Sequence, residues 1–332
     1  MYKTPYTAYF IIITVLTFAL TALAARILIP KLKSIKMGQK ILDIGPRWHK
    51  SKEGTPTMGG LSFIFASAAV FLTVCVFIMV KEGGDFALKL IITVITALLN
   101  GVIGFFDDLV KYSKKQNEGL TAWQKMLIQL SVSGAYLFAM TIFGFISTSV
   151  HIPFLGISLE LGWFYYIFAL ILITGTINGV NFTDGIDGLA STVTFIVGAF
   201  FAVAAFKSDN GPAAVVSALL IGACLGFLVY NFHPAKIFMG DTGSLFLGGL
   251  VTGAAFLIND PLIIVTAGII YMIEVVSVIL QVGYFKLTRG KRLFKMAPIH
   301  HHFEKCGYGE IKIVTIFSAV TLIMCAVSYF RS

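Results

Sequence analysis

Long apolar stretches recur from one end of the chain to the other, and they limit the possible folds more than any other feature of the sequence. The hydrocarbon core of a bilayer is about 30 Å thick, so a helix that crosses it needs about 20 apolar residues. Ten segments come near this length, at about 7–29, 58–80, 88–106, 125–146, 161–180, 189–206, 212–230, 244–258, 262–284 and 313–330. The pattern predicts an all-α polytopic membrane protein with about ten transmembrane helices, in one domain over residues 1–332.

The composition excludes a soluble globular enzyme. Apolar residues make up 57% of the chain and charged residues only 12%, whereas an average soluble protein has about half and about a quarter. The formal net charge of +9 is typical of basic loops held against an anionic membrane surface. We therefore expect the lipid bilayer, and no nucleic acid, as a partner. The four cysteines lack C-x-x-C spacing and predict neither a zinc site nor a disulfide framework.

The distribution of basic residues predicts the orientation in the membrane. Ten spans place both termini on one side and divide the connecting loops into an odd and an even set. Most Lys and Arg residues fall in the odd loops, and the other side holds at most Lys3, Lys81, Lys89, Lys207 and Arg331. Because cytoplasmic loops carry an excess of Lys and Arg, the odd loops are predicted to be cytoplasmic and both termini extracytoplasmic. Most basic residues near the first span follow it, whereas a signal peptide has its positive charge before the apolar run. This favours a retained helix over a signal peptide.

Acidic residues and histidines also gather in or beside the odd loops. They include Asp107, Asp108, Asp184, Asp187, Asp241 and the run His300-His301-His302. An interfacial position is expected for any single carboxylate, because the centre of a span costs it about 2.5–3.5 kcal/mol on insertion scales. That cost does not explain why these acids lie among Gly and Asn residues with few basic residues nearby. The clustering predicts an active site at the cytoplasmic face.

The first acidic motif lies at the end of the third predicted span. In a helix, Asp107 and Lys111 are i,i+4 and Asp108 and Lys111 are i,i+3, so at least one ion pair is available. One interpretation is an interfacial helix end with its own salt bridge. The other is that the two carboxylates hold a divalent cation or handle a proton while the lysine contacts phosphate.

The second motif runs from Asn178 to Leu189 and combines two amides, two acids and three glycines. The glycines permit sharp turns and a close approach of the backbone to a ligand. The spacing is not that of an EF-hand. An ordinary turn between helices is the simpler interpretation, but the four polar side chains exceed what a turn requires.

The third motif runs from Asn231 to Ser244. Asp241 opens the short eighth span and is placed either to cap that helix or to hold a metal-bound phosphate at its N-terminus. Phe238 is a candidate aromatic platform for a base.

The fourth motif is the histidine run within the longest basic loop. The histidines are either a solvated loop or an adventitious metal tract, or they donate hydrogen bonds to a diphosphate beside Lys291, Arg292 and Lys295.

Glu274 lies near the middle of the ninth predicted span, where an acid indicates either a functional role or a bond between helices.

Taken in order, these motifs resemble those of the polyprenyl-phosphate N-acetylhexosamine-1-phosphate transferase superfamily, and within it the phospho-N-acetylmuramoyl-pentapeptide transferase family. The resemblance covers nearly the whole chain and includes the segment Gly54-Thr55-Pro56-Thr57-Met58-Gly59-Gly60. Pro298-Ile299 and the three histidines resemble the muramoyl-pentapeptide branch. Ile44 departs from the family, which usually has a polar or acidic residue there.

The resemblance implies transfer of phospho-N-acetylmuramoyl-pentapeptide from UDP to undecaprenyl phosphate, with Mg²⁺, forming lipid I and UMP for peptidoglycan in the bacterial plasma membrane. It implies that Asp107 and Asp108 are catalytic acids, that Asp241 is catalytic and binds Mg²⁺, and that the protein is a homodimer. The residues that it implies for substrate binding are Lys52, Thr57, Lys111, Lys125, Asn181, Asp184, Asp187, Asn231, Phe238, His300, His301 and His302. Of these, Lys52, Asp187, Asn231 and Phe238 are the candidates for a uridine pocket.

Two alternatives remain. A sister enzyme would transfer GlcNAc-1-phosphate from UDP-GlcNAc to a polyprenyl phosphate, and the histidine run counts against it. A cation-coupled transporter would also use short helices and intramembrane acids. Transporters place their sites near the midplane and often contain internal repeats, whereas these acids collect at one face and the sequence shows no repeat.

Overall fold

The computed structural model describes residues 6–35, 38, 52–114, 116, 118–152 and 156–331. The helices are α1 (Tyr6–Ser34), α2 (Gly60–Glu82), α3 (Gly84–Ser113), α4 (Ala122–Ile142), α5 (Phe164–Thr183), α6 (Leu189–Lys207), α7 (Gly211–Asn231), α8 (Gly240–Leu257), α9 (Ile263–Ala267), α10 (Ile269–Leu287), α11 (Ile299–Lys305) and α12 (Glu310–Arg331). Parts of the first basic loop, including Lys36, Lys40, Arg47, Lys50 and the departure at Ile44, lie outside the described residues.

The helices confirm the prediction of an all-α polytopic membrane protein. Within the described ranges, nine helices are long and apolar enough to cross a membrane. The eighth predicted span corresponds to α8, which has 18 residues and is not one of these nine. The ninth predicted span is divided at Gly268 into α9 and α10. The orientation of the termini stays a prediction.

Helix α8 forms the centre of the bundle. Every residue from Thr242 to Leu257 is buried, so this helix contacts protein on all sides. Close approach of α3 depends on Gly104, because a Cβ at this position would lie 2.1 Å from the Asp241 carbonyl oxygen. The last two turns of α3 are therefore held directly beside the first turn of α8.

Helices differ in how much protein surrounds them. The most apolar windows of α6 and α7 are 72% and 78% buried, whereas those of α1 and α10 are only 22% buried. The exposed side chains of α1 and α10 are largely apolar, including Ile11, Leu23, Ile279 and Leu280. An apolar surface of this kind is typical of helices that face lipid.

A β-hairpin follows α4 and was not predicted. Strands β1 (Ser149–Ile152) and β2 (Ile157–Glu160) pair antiparallel, with Val150 opposite Leu159. The Thr148 hydroxyl also donates a hydrogen bond to Glu160. The alternation of polar and apolar residues within each strand was the available signal, but the strands are only four residues long. The hairpin follows the C-terminal end of α4, whereas Lys125 lies at the N-terminal end of this helix.

Candidate active site

Three aspartates from two helices form the centre of the candidate site. Asp107 and Asp108 lie near the end of α3, and Asp241 lies in the first turn of α8. Each offers a carboxylate oxygen, and these oxygens all lie within 4.8 Å of one another. The side chains of Asp107 and Asp108 are buried and that of Asp241 is partly buried. We call these residues the three-aspartate cluster.

Asp108 caps the N-terminus of α8. Its Oδ2 accepts hydrogen bonds from the Thr242 amide at 2.9 Å and the Thr242 hydroxyl at 2.7 Å, and its Oδ1 accepts from the Asp241 amide at 3.3 Å. Free amides at a helix N-terminus require such acceptors. The interpretation of Asp241 as the cap is wrong, because the N-cap position is Met239 and the capping carboxylate comes from α3.

Two lysines lie between the carboxylates of the three-aspartate cluster. The Lys111 Nζ is 2.6 Å from Asp107 Oδ2 and 3.1 Å from Asp241 Oδ2, so the predicted i,i+4 ion pair is present. Lys125 forms an ion pair with Asp241 and lies 3.7 Å from Asp107. Three carboxylates and two ammonium groups leave a formal excess of one negative charge.

The start of α4 places Lys125 in the cluster. The Thr121 hydroxyl accepts a hydrogen bond from the Gln124 amide, and the Gln124 side chain accepts one from the Thr121 amide. This reciprocal pair is a capping box, which fixes where a helix begins. In addition, the Leu120 amide donates to Asp107 Oδ1 at 2.9 Å. The segment before α4 is thus attached to the end of α3.

Asn181 and Asp184 extend the cluster toward the segment that joins α5 and α6. The Asn181 amide donates to Asp241 Oδ1 at 2.9 Å and to the Ser244 hydroxyl at 2.8 Å. Burial raises the pKa of Asp184 well above its ordinary range, and the negative charges of Asp241 and Asp108 raise it further. Asp184 therefore lies within the electrostatic field of the cluster.

A second charged cluster contains Lys52, Asp187, His233 and Glu310, and we call it the Lys52 cluster. The Lys52 Nζ is 2.6 Å from both Asp187 and Glu310. Asp187 Oδ2 also accepts from the Ala235 amide at 2.9 Å and lies 3.1 Å from His233 Nδ1. Four segments that are distant in sequence meet through these side chains.

His233 and Glu310 were not predicted as site residues. Glu310 begins α12, and its carboxylate also accepts a hydrogen bond from the Asp187 amide at 3.0 Å. His233 lies within the third sequence motif. Glu310 belongs to none of the four motifs, and the available signal was its position as an acid at the end of a span on the same face as the other acids.

Asn231, Phe238 and Thr57 line the region around the two clusters. Asn231 is buried, and its side chain accepts from Ser191 and donates to the Ile237 carbonyl. Phe238 is partly exposed, and its amide donates to the Pro56 carbonyl at 2.8 Å. Thr57 lies beside Gly240, where its hydroxyl would be 3.0 Å from an added Cβ. The segment from Gly54 to Gly60 and the third motif are therefore neighbours in the fold.

The three consecutive histidines have three different environments. His300 Nδ1 lies 3.0 Å from Glu274 on α10, and His301 Nδ1 lies 2.6 Å from Glu304 on α11 itself. His302 Nδ1 instead accepts a hydrogen bond from the Lys295 amide, and its Nε2 lies 3.7 Å from Cys306 Sγ. The contacts of the His302 ring are within its own loop, whereas His300 reaches the loop that contains Asp184.

Comparison with known proteins agrees with this arrangement. The family described as glycosyl transferase family 4 matches residues 90–259, and a signature of phospho-N-acetylmuramoyl-pentapeptide-transferase matches residues 52–64. A Clostridium perfringens (strain 13 / Type A) protein with this transferase name is 46% identical over 95% of this chain and 96% of its own length. A protein of the same name from Clostridium kluyveri (strain NBRC 12016) is 44% identical over 99% of both chains. The chain belongs to the phospho-N-acetylmuramoyl-pentapeptide-transferase family.

Proposed function

We propose that this chain transfers phospho-N-acetylmuramoyl-pentapeptide from its UDP-linked donor to undecaprenyl phosphate, which forms lipid I and UMP. The observation that carries the proposal is the three-aspartate cluster, with Lys111 and Lys125 between its carboxylates where α3, α4 and α8 meet. The reaction brings a diphosphate and a lipid phosphate together. Positive groups must offset their repulsion while both substrates are held in line. Family membership, with a relative that matches 95% of this chain, supports the same reaction.

The reaction forms a bond from a lipid phosphate oxygen to the phosphorus next to the sugar, and it breaks the bond from that phosphorus to UMP. Lys111 and Lys125 bind phosphoryl oxygens during this exchange. Asp107 is the carboxylate that orients or deprotonates the lipid phosphate, because Asp108 is already engaged by three donors from the start of α8. Asp108 therefore acts by fixing Asp241 against α3. Direct attack and an aspartyl-phosphate intermediate are both compatible with this geometry.

The three-aspartate cluster has the composition of a magnesium site. Mg²⁺ prefers hard oxygen ligands and is often held by one or two carboxylates together with substrate phosphates. The oxygens of Asp107, Asp108 and Asp241 are close together and carry more negative charge than the two lysines compensate. Asp241 is the proposed ligand. When bound, Mg²⁺ neutralises charge that develops on the phosphoryl oxygens.

The Lys52 cluster is proposed to bind the nucleotide end of the donor. Asp187 and Asp184 belong to the same short segment, so one loop contacts both ends of a UDP-linked substrate. Phe238 stacks on the uracil, since its ring is partly exposed and its backbone is hydrogen-bonded to Pro56 and Gly59. Asn231 stabilises this pocket, since its side chain donates a hydrogen bond to the Ile237 carbonyl next to Phe238.

The basic odd loops support a plasma membrane location with the catalytic face in the cytoplasm.

A homodimer is proposed on the family resemblance, and the chain is proposed to form one domain. Chemical crosslinking in intact membranes tests the dimer.

The test of the proposed function is UMP release by purified protein with undecaprenyl phosphate and Mg²⁺. UDP-N-acetylmuramoyl-pentapeptide and UDP-GlcNAc are compared as donors, and Asp108→Asn is the inactive control. We expect release with the muramoyl donor alone and none in the variant. Release only with UDP-GlcNAc would assign the sister reaction, and no release with either donor from folded protein would reopen transport.

A further inference from the structure

Glu274 and His300 form a buried pair between two helices. Glu274 lies within α10 and His300 lies in the first turn of α11, and both residues are 0% exposed. His300 Nδ1 is 3.0 Å from Glu274 Oε1. Among the described residues, Glu274 forms an ion pair with this histidine and with no Lys or Arg. A buried carboxylate without a permanent cation is expensive and requires an explanation other than stability.

The two remaining polar atoms of the pair point to a role beyond packing. Glu274 Oε2 and His300 Nε2 are both buried, and among the described residues neither has a hydrogen-bond partner. Native proteins leave few buried polar atoms unpaired, and an unpaired atom often marks a functional site. The His300 ring is therefore paired at Nδ1 and without a partner at Nε2 among the described residues.

The unpaired Nε2 of His300 faces the loop between α5 and α6. A Cβ at Gly185 would lie 2.0 Å from His300 Nε2, so the ring edge rests directly against this glycine. Gly185 lies between Asp184 and Asp187. The pKa of Asp184 is raised by the charges of Asp241 and Asp108, and Asp187 belongs to the Lys52 cluster. Nε2 is thus aimed at the segment that connects the two clusters.

The carboxylate determines which nitrogen of His300 carries a proton. A neutral imidazole has a single N–H, and its position follows from the hydrogen bond that the other nitrogen makes. An ionised carboxylate only accepts hydrogen bonds, so Glu274 keeps the proton on Nδ1 and leaves Nε2 for a ligand. His302 shows the opposite pattern, since its Nδ1 accepts from the Lys295 amide.

We propose that Glu274 is a positioning residue that holds His300 with Nδ1 protonated, so that Nε2 faces the donor substrate at the loop containing Gly185. This inference rests on the proposed function, because it assigns the ligand of Nε2 to the UDP-linked donor. Glu274 does not touch substrate. It acts through the orientation and the tautomer of one imidazole ring.

Kinetic measurements on matched variants test the proposal. Glu274→Leu removes the acceptor and is expected to lower kcat by about 10- to 100-fold, by analogy with carboxylates that orient metal-bound histidines. Glu274→Gln retains an acceptor oxygen and is expected to recover most of the lost kcat. Ser277→Ala changes a buried side chain one turn further along the same helix and is expected to leave kcat unchanged.

A double variant separates positioning from a general loss of structure. If Glu274 acts through His300, then Glu274→Leu combined with His300→Phe loses no more activity than His300→Phe alone. Additive losses would overturn the proposal, and so would a Glu274→Gln variant as inactive as Glu274→Leu. Thermal unfolding of each variant identifies any that fail to fold.

A spectroscopic measurement without substrate keeps the inference independent of the transfer assay. In protein labelled with ¹⁵N-histidine, the His300 signals are identified by their absence in His300→Phe. We expect Nδ1 to carry the proton in the wild type and in Glu274→Gln, and this preference to be lost in Glu274→Leu. A wild-type proton on Nε2 would overturn the proposal. Absence of transfer by the wild type, with the expected spectrum, would instead refute the proposed function alone.

Discussion

The three-aspartate cluster and the Lys52 cluster both place lysines against carboxylates, but they are built from different parts of the fold. The first joins the end of α3 to the starts of α4 and α8. The second joins Lys52 and the loops around Asp187 and His233 to the first residue of α12. Groups on packed helices keep a fixed geometry, whereas loops supply varied contacts for recognition.

This difference indicates a division of labour. In-line transfer between two phosphates depends on fixed positions of charged groups, which the helix-based cluster supplies. Binding of a nucleotide depends on contacts from several directions, which the loop-based cluster supplies. Changes in the first cluster should mainly lower kcat, and changes in the second should mainly raise the donor KM.

The largest expected effect follows from Asp241→Asn. This change removes the proposed magnesium ligand and the shared partner of Lys111 and Lys125, so we expect turnover to fall by about 10³-fold. Steady-state UMP release measures it, and the thermal unfolding midpoint shows whether the protein stays folded. Asp209→Asn, at an exposed position between α6 and α7, is the control. Activity near wild type in Asp241→Asn would remove Asp241 from the site.

The next effect is expected for Lys125→Met. The ammonium group is lost from between Asp241 and Asp107, so phosphate repulsion is less well offset and kcat should fall by about 10²-fold. Lys114→Met, at the exposed end of α3, serves as the control. An unchanged kcat with a raised donor KM would place Lys125 in donor recognition rather than in phosphoryl transfer.

Lys52→Met is expected to act on binding. Asp187 and Glu310 lose their shared cation, and the nucleotide pocket loses its shape, so the donor KM should rise by about tenfold, which corresponds to about 1.4 kcal/mol. Lys305→Met, exposed on α11, is the control. A loss confined to kcat would contradict the assignment of the Lys52 cluster to recognition.

The smallest effect is expected for Phe238→Ala. Loss of one base-stacking ring costs about 1–3 kcal/mol, and the partial exposure of Phe238 favours the lower end, so the donor KM should rise by about fivefold. The KM for undecaprenyl phosphate should change little. The reverse pattern would refute the stacking role.

The sequence predicts the helices well because hydropathy reports directly on burial in lipid. The predicted spans correspond to helices even where the eighth is short and rich in glycine. Its Gly249 and Gly253 allow close contact with α3, and its Gly248 allows close contact with α5. The sequence could not reveal that Asp108 rather than Asp241 caps α8, because the cap reaches across 133 residues. A local pattern contains no information about such a distant partner.

The same limit applies to the rest of the candidate site. Glu310 is a single acid in the sequence and becomes part of a cluster only when α12 meets Lys52. The sequence does not distinguish the three consecutive histidines from one another. In the structure, however, the partners of their Nδ1 atoms lie on three different segments. The chemical type of a side chain is known from the sequence, whereas its partners depend on tertiary contacts.

The division of labour is tested most directly by measuring kcat and the donor KM for Asp107→Asn and Asp187→Asn side by side, by UMP release. We predict that Asp107→Asn lowers kcat and leaves the donor KM near the wild-type value. We predict that Asp187→Asn raises the donor KM and leaves kcat near the wild-type value. If both variants changed the same parameter, the two clusters would act as one site, which would contradict separate roles in transfer and in donor binding.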